Sequence, residues 1–77
     1  MATYMFEQFV FEGSDTIIWG TLRELKGINV SVPIRSYPFK CGRIYQFIIK
    51  CDKKIFDEVL KIFVEDEIFF TYREVFP

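Results

Sequence analysis

The chain has 77 residues, of which 51% are apolar and 19% aromatic, and its formal net charge is −1. A chain of this length has room for one hydrophobic core and buries only about 60% of the surface that it exposes when unfolded. No run approaches the roughly 20 apolar residues of a membrane-spanning helix, and no secretion signal is recognisable. The sequence therefore predicts one small cytoplasmic domain that does not associate with membranes.

The residue types of most catalytic and metal sites are scarce. The chain has no histidine and only two cysteines, Cys41 and Cys51. An ordinary Cys/His zinc site cannot be assembled from these, and the commonest general base is missing. Glycine-rich phosphate loops and nucleophile motifs are also absent from the sequence. We therefore expect a binding protein that is not an enzyme, with free thiols and with no metal or cofactor.

The first half of the chain predicts a strand, a helix and a second strand. A strand is predicted over 4–11, where Phe9 and Phe11 alternate with Gln8 and Glu12, as in a half-buried strand. Ser14 is a suitable N-cap for a helix over 15–26, where apolar residues recur at helical spacing, and Gly27 can end that helix. Alternation over 30–34 predicts the second strand.

The same order of elements is predicted again in the second half. A strand over 45–49 leads to Asp52 as an N-cap, then to a helix over 53–64 and a final strand over 68–73. An internal repeat supports this division, because the halves align without a gap at an offset of 38 residues and 21 of 28 aligned pairs agree in polarity.

Two tandem βαβ units give the order β-α-β-β-α-β, which is the ferredoxin-like sandwich of two helices on one face of a four-stranded antiparallel sheet. The chain would then be one domain, 1–77, built from halves at about 4–35 and 43–75. An alternative stays open for 16–25, where β-branched residues and a mid-helix Gly20 disfavour a helix. That alternative is a four-stranded β-meander with a single helix and a final strand.

The first candidate binding surface is the sheet face turned away from the helices. If Phe9 and Phe47 point toward the helices, strand alternation places a largely apolar set on the opposite face. Apolar surface of this extent usually marks an interface, the alternative being that a terminus or loop covers it. A self-complementary patch also suits a two-fold homodimer. The predicted interface residues are Phe6, Gln8, Val10, Ile44, Gln46, Ile48 and Phe69.

The second candidate is a loop over 35–43, predicted from Pro38 and Gly42. Guanidinium groups beside aromatic rings suit phosphate, carboxylate or nucleobase ligands. The competing interpretation is a solvated connection whose rings pack on the edge of the core. The residues expected to hold a ligand or partner are Arg35, Tyr37, Phe39, Lys40 and Arg43.

Residues 43–48 resemble the third-strand signature of RNA recognition motifs, which implies RNA binding through stacked rings. The sequence departs from that signature at its two small positions, occupied here by Ile44 and Gln46. The resemblance also requires Tyr45 and Phe47 on the open face, opposite to the facing predicted above. The negative net charge argues against a mode of binding dominated by phosphate contacts, so we do not expect a nucleic-acid partner.

These observations predict a non-catalytic protein–protein recognition module. Ten Ile, ten Phe and six Lys against a single Ala suggest an A/T-rich genome. A small protein without catalytic residues from such a genome fits a phage or mobile-element inhibitor that blocks or sequesters a host factor. The alternative function is capture of a phosphorylated or nucleotide-like ligand, or of RNA, through the loop at 35–43.

Overall fold

The computed structural model describes residues 1–13, Leu22 and 25–75. Within these residues the fold is α+β, with five strands in one antiparallel sheet and one helix. Among the described residues, no helix has the length and apolarity that crossing a membrane requires. The elements are β1 (Ala2–Phe11), β2 (Ile28–Val30), β3 (Arg35–Phe39), β4 (Gly42–Cys51), α1 (Lys53–Glu65) and β5 (Phe69–Glu74).

The two long strands β1 and β4 lie side by side at the centre of the sheet. β5 pairs with the free side of β1, and both β2 and β3 pair with the other side of β4. Val30 pairs with Ile49 and Arg35 with Gln46, so the four residues 31–34 on one side lie opposite only two residues, Phe47 and Ile48, on the other. β2 and β3 are therefore one edge strand, interrupted by a two-residue bulge within 31–34.

The bulge stays attached to β4 by side-chain and backbone hydrogen bonds. The Ile48 amide donates to the Ser31 hydroxyl at 2.8 Å, and the Ile34 amide donates to the Gln46 carbonyl at 2.8 Å. A hydroxyl thus replaces the backbone carbonyl that a regular strand would offer.

The helix α1 covers one face of the sheet. Phe56, Val59 and Phe63 recur at helical spacing and are its buried residues. After α1 the chain makes a Schellman-type turn, in which the Ile68 amide donates to the Phe63 carbonyl at 3.0 Å and Glu67 has a φ of 54°. β4 and β5 run parallel with β1 between them, which makes β4-α1-β5 a split βαβ unit.

The core lies between α1 and the adjoining sheet face and is dominated by aromatic rings. Its largest fully buried apolar side chains are those of Phe6, Phe47 and Phe63, and Leu22 is fully buried with them. The whole cluster of buried apolar residues is Tyr4, Phe6, Leu22, Val30, Phe47, Ile49, Cys51, Phe56, Val59 and Phe63.

The predicted second helix and final strand are confirmed to within one or two residues. The predicted first helix, 15–26, lies almost wholly outside the described residues. The described part of the chain contains one helix, which agrees with the single-helix alternative. The meander order of that alternative is not seen, because β1 is flanked by β4 and β5.

The prediction of a loop over 35–43 is wrong. Residues up to Phe39 form β3, and only Lys40 and Cys41 lie in the turn of a tight hairpin with β4. Pro38 is accepted within β3 because this is an edge strand, where a missing amide proton need not cost a ladder hydrogen bond.

The predicted facing of β1 is also wrong. Phe6 and Gln8 are fully buried, and Val10 shares their face, so all three point to the side of the sheet that α1 covers. Phe9 and Phe11 take the opposite face. Apolar residues occupy both parities of β1, so alternation alone does not determine which parity is buried.

Candidate binding surface

The open face of the sheet is the face opposite α1. The pairing registers place every second residue of the four longer strands there. Of the predicted interface residues, Ile44, Gln46, Ile48 and Phe69 lie on this face. The set comprises Thr3, Met5, Glu7, Phe9, Phe11, Arg35, Tyr37, Phe39, Gly42, Ile44, Gln46, Ile48, Lys50, Phe69, Thr71 and Arg73.

Four phenylalanines from three strands meet at one end of the open face, and we call them the aromatic patch. The Phe9 ring lies edge-on to Phe11, with centroids 4.8 Å apart, and to Phe39 at 6.1 Å, while Phe11 and Phe69 are 6.0 Å apart. Phe11, Phe39 and Phe69 are 49%, 45% and 62% exposed. The patch therefore presents three large rings to solvent from a rigid sheet.

A shallow groove of about 400 Å³ continues from the patch toward the middle of the face. Ile44 lies in its floor, and Glu7 and Tyr37 face each other across it, the Tyr37 hydroxyl donating to Glu7 Oε2 at 3.3 Å. Partial burial and then the Glu7 carboxylate raise the pKa of Tyr37, and Arg35 opposes that rise. The groove thus combines an apolar floor with one oriented polar pair.

Basic side chains surround the patch and groove. The Arg35 guanidinium lies 5.2 Å from the centroid of the Tyr37 ring, and the Lys40 ammonium lies 5.5 Å from that of Phe39. Arg73 shares the face through its pairing with Met5. Within the described residues of these paired strands, Glu7 is the one carboxylate on this face, so the open face carries net positive charge.

This charge bears on the predicted face-to-face homodimer. Two copies docked by their open faces would bring together two surfaces that each carry net positive charge from side chains such as Arg35, Lys40 and Arg73. Like charges juxtaposed across an interface cost free energy. The open face is better suited to a partner of different charge than to itself.

The predicted ligand-binding residues do not form one site. Arg35, Tyr37 and Phe39 lie on the open face, and Lys40 is in the adjoining turn. Arg43 pairs with Pro38 and points to the other face, where its Nη2 donates to the Ser36 hydroxyl at 3.3 Å. The basic residues expected to hold an anion together are therefore divided between two faces.

The strand that resembles an RNA recognition motif does not present its rings. Phe47 is fully buried beneath α1, and Tyr45 points to the same side of the sheet. The rings on the open face come instead from β1, β3 and β5. Phe9, Phe11 and Glu7 were missed from the sequence because the assumed facing of β1 placed this parity of the strand toward the helices.

No metal site emerges from the part of the chain that is described. There, no group of three or more Cys, Asp or Glu residues is close enough to share a metal ion. A cavity of about 850 Å³ lies at the start of α1 and is lined by Lys53 and Glu74, whose Nζ and Oε1 atoms form an ion pair at 3.7 Å. Comparison of the chain with protein-family models, with curated proteins and with solved structures finds no match.

Proposed function

We propose that this protein is a non-catalytic recognition domain whose open sheet face binds another protein. The observation that carries the proposal is the aromatic patch, in which Phe11, Phe39 and Phe69 each leave about half of a ring or more exposed on one rigid surface. Fully burying one such side chain contributes about 1.5–3 kcal/mol, and aromatic side chains in a pocketed surface are typical interface hot spots.

The charge around the patch defines the kind of partner. Arg35, Lys40 and Arg73 border the apolar area, so a partner surface with carboxylates around an apolar centre would match it. The idea that the protein inhibits a host factor rests on composition, and it is compatible with a binding face of this kind.

The strand order also supports a free open face. β1 and β2 run parallel with β4 between them, as β4 and β5 do with β1 between them. We infer that the connection after β1 contains the first predicted helix and completes a ferredoxin-like sandwich. Both helices would then cover the same face as α1. Helical backbone chemical shifts over 15–26 would test this, and extended shifts would exclude it.

The second candidate function is capture of RNA or a phosphorylated ligand. Rings beside cations on a sheet can act as a stacking platform for single-stranded nucleic acid. However, Arg35 and Lys40 already lie against Tyr37 and Phe39, and Arg43 lies on the other face. These contacts favour a protein partner over a phosphate chain.

Affinity capture with matched variants tests the proposal. Phe69→Asp places a charge in the patch, whereas Val64→Asp places the same charge on the solvent side of α1, where Val64 is 65% exposed. We expect the wild type and Val64→Asp to retain one protein partner after nuclease treatment, and Phe69→Asp to lose it. Equal retention by both variants, or nuclease-sensitive capture that Arg35→Ala abolishes, would refute the protein-recognition proposal.

A further inference from the structure

We propose that two copies of this chain associate through the outer edges of β5, paired antiparallel about a two-fold axis so that their sheets become continuous. This contact is made by the main chain at the sheet edge, which borders the open face at Phe69, Thr71 and Arg73, and the inference does not depend on the proposed function. It retains the prediction of a homodimer and places the contact at a different part of the molecule.

The two edges of the sheet are protected very differently. The β2/β3 edge is interrupted at 31–34, contains Pro33 and Pro38, and ends beside Lys40. Bulges, prolines and lysines are the devices by which natural sheets prevent edge-to-edge pairing. β5, with the sequence FFTYRE, has none of them, and it pairs with β1 without interruption along its whole length.

The free hydrogen-bonding groups of β5 can be identified from its pairing with β1. The Val75 amide donates to the Thr3 carbonyl at 2.8 Å. Because backbone groups of successive residues in a strand point alternately to its two sides, this bond shows which residues of β5 direct their amides and carbonyls toward β1 and which direct them away. Phe70, Tyr72 and Glu74 therefore direct their amides and carbonyls to the outer edge. In the described part of the chain, no strand pairs with that edge.

A second copy offers a matching row of groups. Antiparallel pairing centred on Tyr72 places Phe70 opposite Glu74 of the second copy, which allows about six main-chain hydrogen bonds across the axis. On the open face, Thr71 lies opposite Arg73 of the second copy and Phe69 opposite Val75. No like charges are directly opposed, in contrast to the face-to-face arrangement.

This pairing would also bury side chains that are exposed in one copy. Tyr72 is 46% exposed and would meet Tyr72 of the second copy, and Phe69 would be partly covered by Val75. The two aromatic patches would then lie on the same side of one continuous sheet. Such a dimer could engage two sites of a partner at once.

Sedimentation equilibrium of the wild type and of two variants at one position tests the pairing. Thr71→Lys places a positive charge directly across the interface from Arg73 of the second copy, and the two-fold axis repeats this contact once. Thr71→Glu places a negative charge at the same position. We expect the dimer dissociation constant to rise about tenfold in Thr71→Lys and to fall in Thr71→Glu at low salt. Val32→Lys, at an exposed site near the other edge, should leave the constant unchanged. A monomeric wild type at high micromolar concentration, or equal effects of both Thr71 variants, would overturn the proposal.

A cross-link identifies the contact independently. In a Cys41→Ser background, Tyr72→Cys places two thiols opposite each other at a Cα separation of about 5.5 Å, which a disulfide can span. We expect oxidation to trap a covalent dimer, whereas Lys61→Cys on α1 should form no covalent dimer. If Tyr72→Cys does not cross-link and Phe39→Asp dissociates the dimer, the contact is through the open face and the edge pairing is wrong.

Discussion

Phe6 of β1 and Phe63 of α1 stack at the centre of the core, with ring centroids 5.0 Å apart and ring planes 24° from parallel. Phe6 also lies within 5.7 Å of the ring of Phe47 and 5.6 Å of that of Tyr72. One side chain therefore joins the helix to both central strands and to β5. In a domain of this size, much of the stability depends on this contact.

Replacing Phe6 by Ala should lower the free energy of unfolding by about 3–5 kcal/mol, since the fully buried ring leaves a cavity. Total stability is typically 5–15 kcal/mol, so the variant should be close to unfolding at room temperature. Phe69→Ala removes an equally large but exposed ring and should cost less than about 1 kcal/mol. Urea denaturation of the two variants checks this. Similar losses in the free energy of unfolding would mean that the facing of β1 is not as described.

The sequence did not allow us to predict which residues of β1 point toward α1. α1 was predicted almost to the residue, because a 3.6-residue apolar period after Asp52 has one interpretation. β1 has aromatic residues at both parities, so Phe6 and Phe9 are equivalent until the partners of the strand are known. The register with β4 and β5 decides which of them is buried.

The aromatic patch was only partly predictable for the same reason. Phe69 and Ile44 lie on the face to which they were assigned, because the facing assumed for Phe70 and Phe47 is the one that the structure has. Phe39 was recognised as a functional candidate, but it was assigned to a loop because of Pro38. Its contact with Phe9 depends on strand order, which joins residues 30 positions apart in the chain.

Gly42 is required by a close approach within the sheet. A Cβ at this position would meet the Val10 carbonyl oxygen and lie 2.8 Å from the Phe9 ring. Gly42→Ala should therefore cost roughly 1–3 kcal/mol, because backbone cannot move aside as a flexible side chain can. Gly13→Ala is the control, since φ is 82° there but nothing lies within 4 Å, and strain alone should cost about 1–2 kcal/mol. Thermal unfolding measures both, and only Gly42→Ala should also alter the near-ultraviolet signal of the patch.

The two thiols should differ strongly in reactivity. Cys41 is exposed in the hairpin turn, whereas Cys51 is buried at the end of β4, and burial followed by the neighbouring Asp52 raises the pKa of its thiol. The thiolate is the reactive form, so Cys51 should be inert in the native state. A disulfide reagent such as DTNB should titrate one thiol in the folded protein and two in denaturant. Cys41→Ser should react only as it unfolds, and rapid native reaction of that variant would contradict the described burial of Cys51.

The Glu7–Tyr37 pair predicts a specific response at alkaline pH. Partial burial and the Glu7 carboxylate raise the pKa of Tyr37 above its usual value near 10. A raised pKa means that folding favours the neutral phenol, so this contribution to stability is complete below the unfolded pKa and is lost as pH rises through the folded one.

Glu7→Gln removes the charge but keeps an acceptor for the hydroxyl, and it should lower the pKa of Tyr37 toward the ordinary value. Titration of the Tyr37 ring signals by NMR in both proteins checks the shift. If the two proteins titrate identically at Tyr37, the hydroxyl does not face Glu7 across the groove, and the arrangement of the open face is different from the one described.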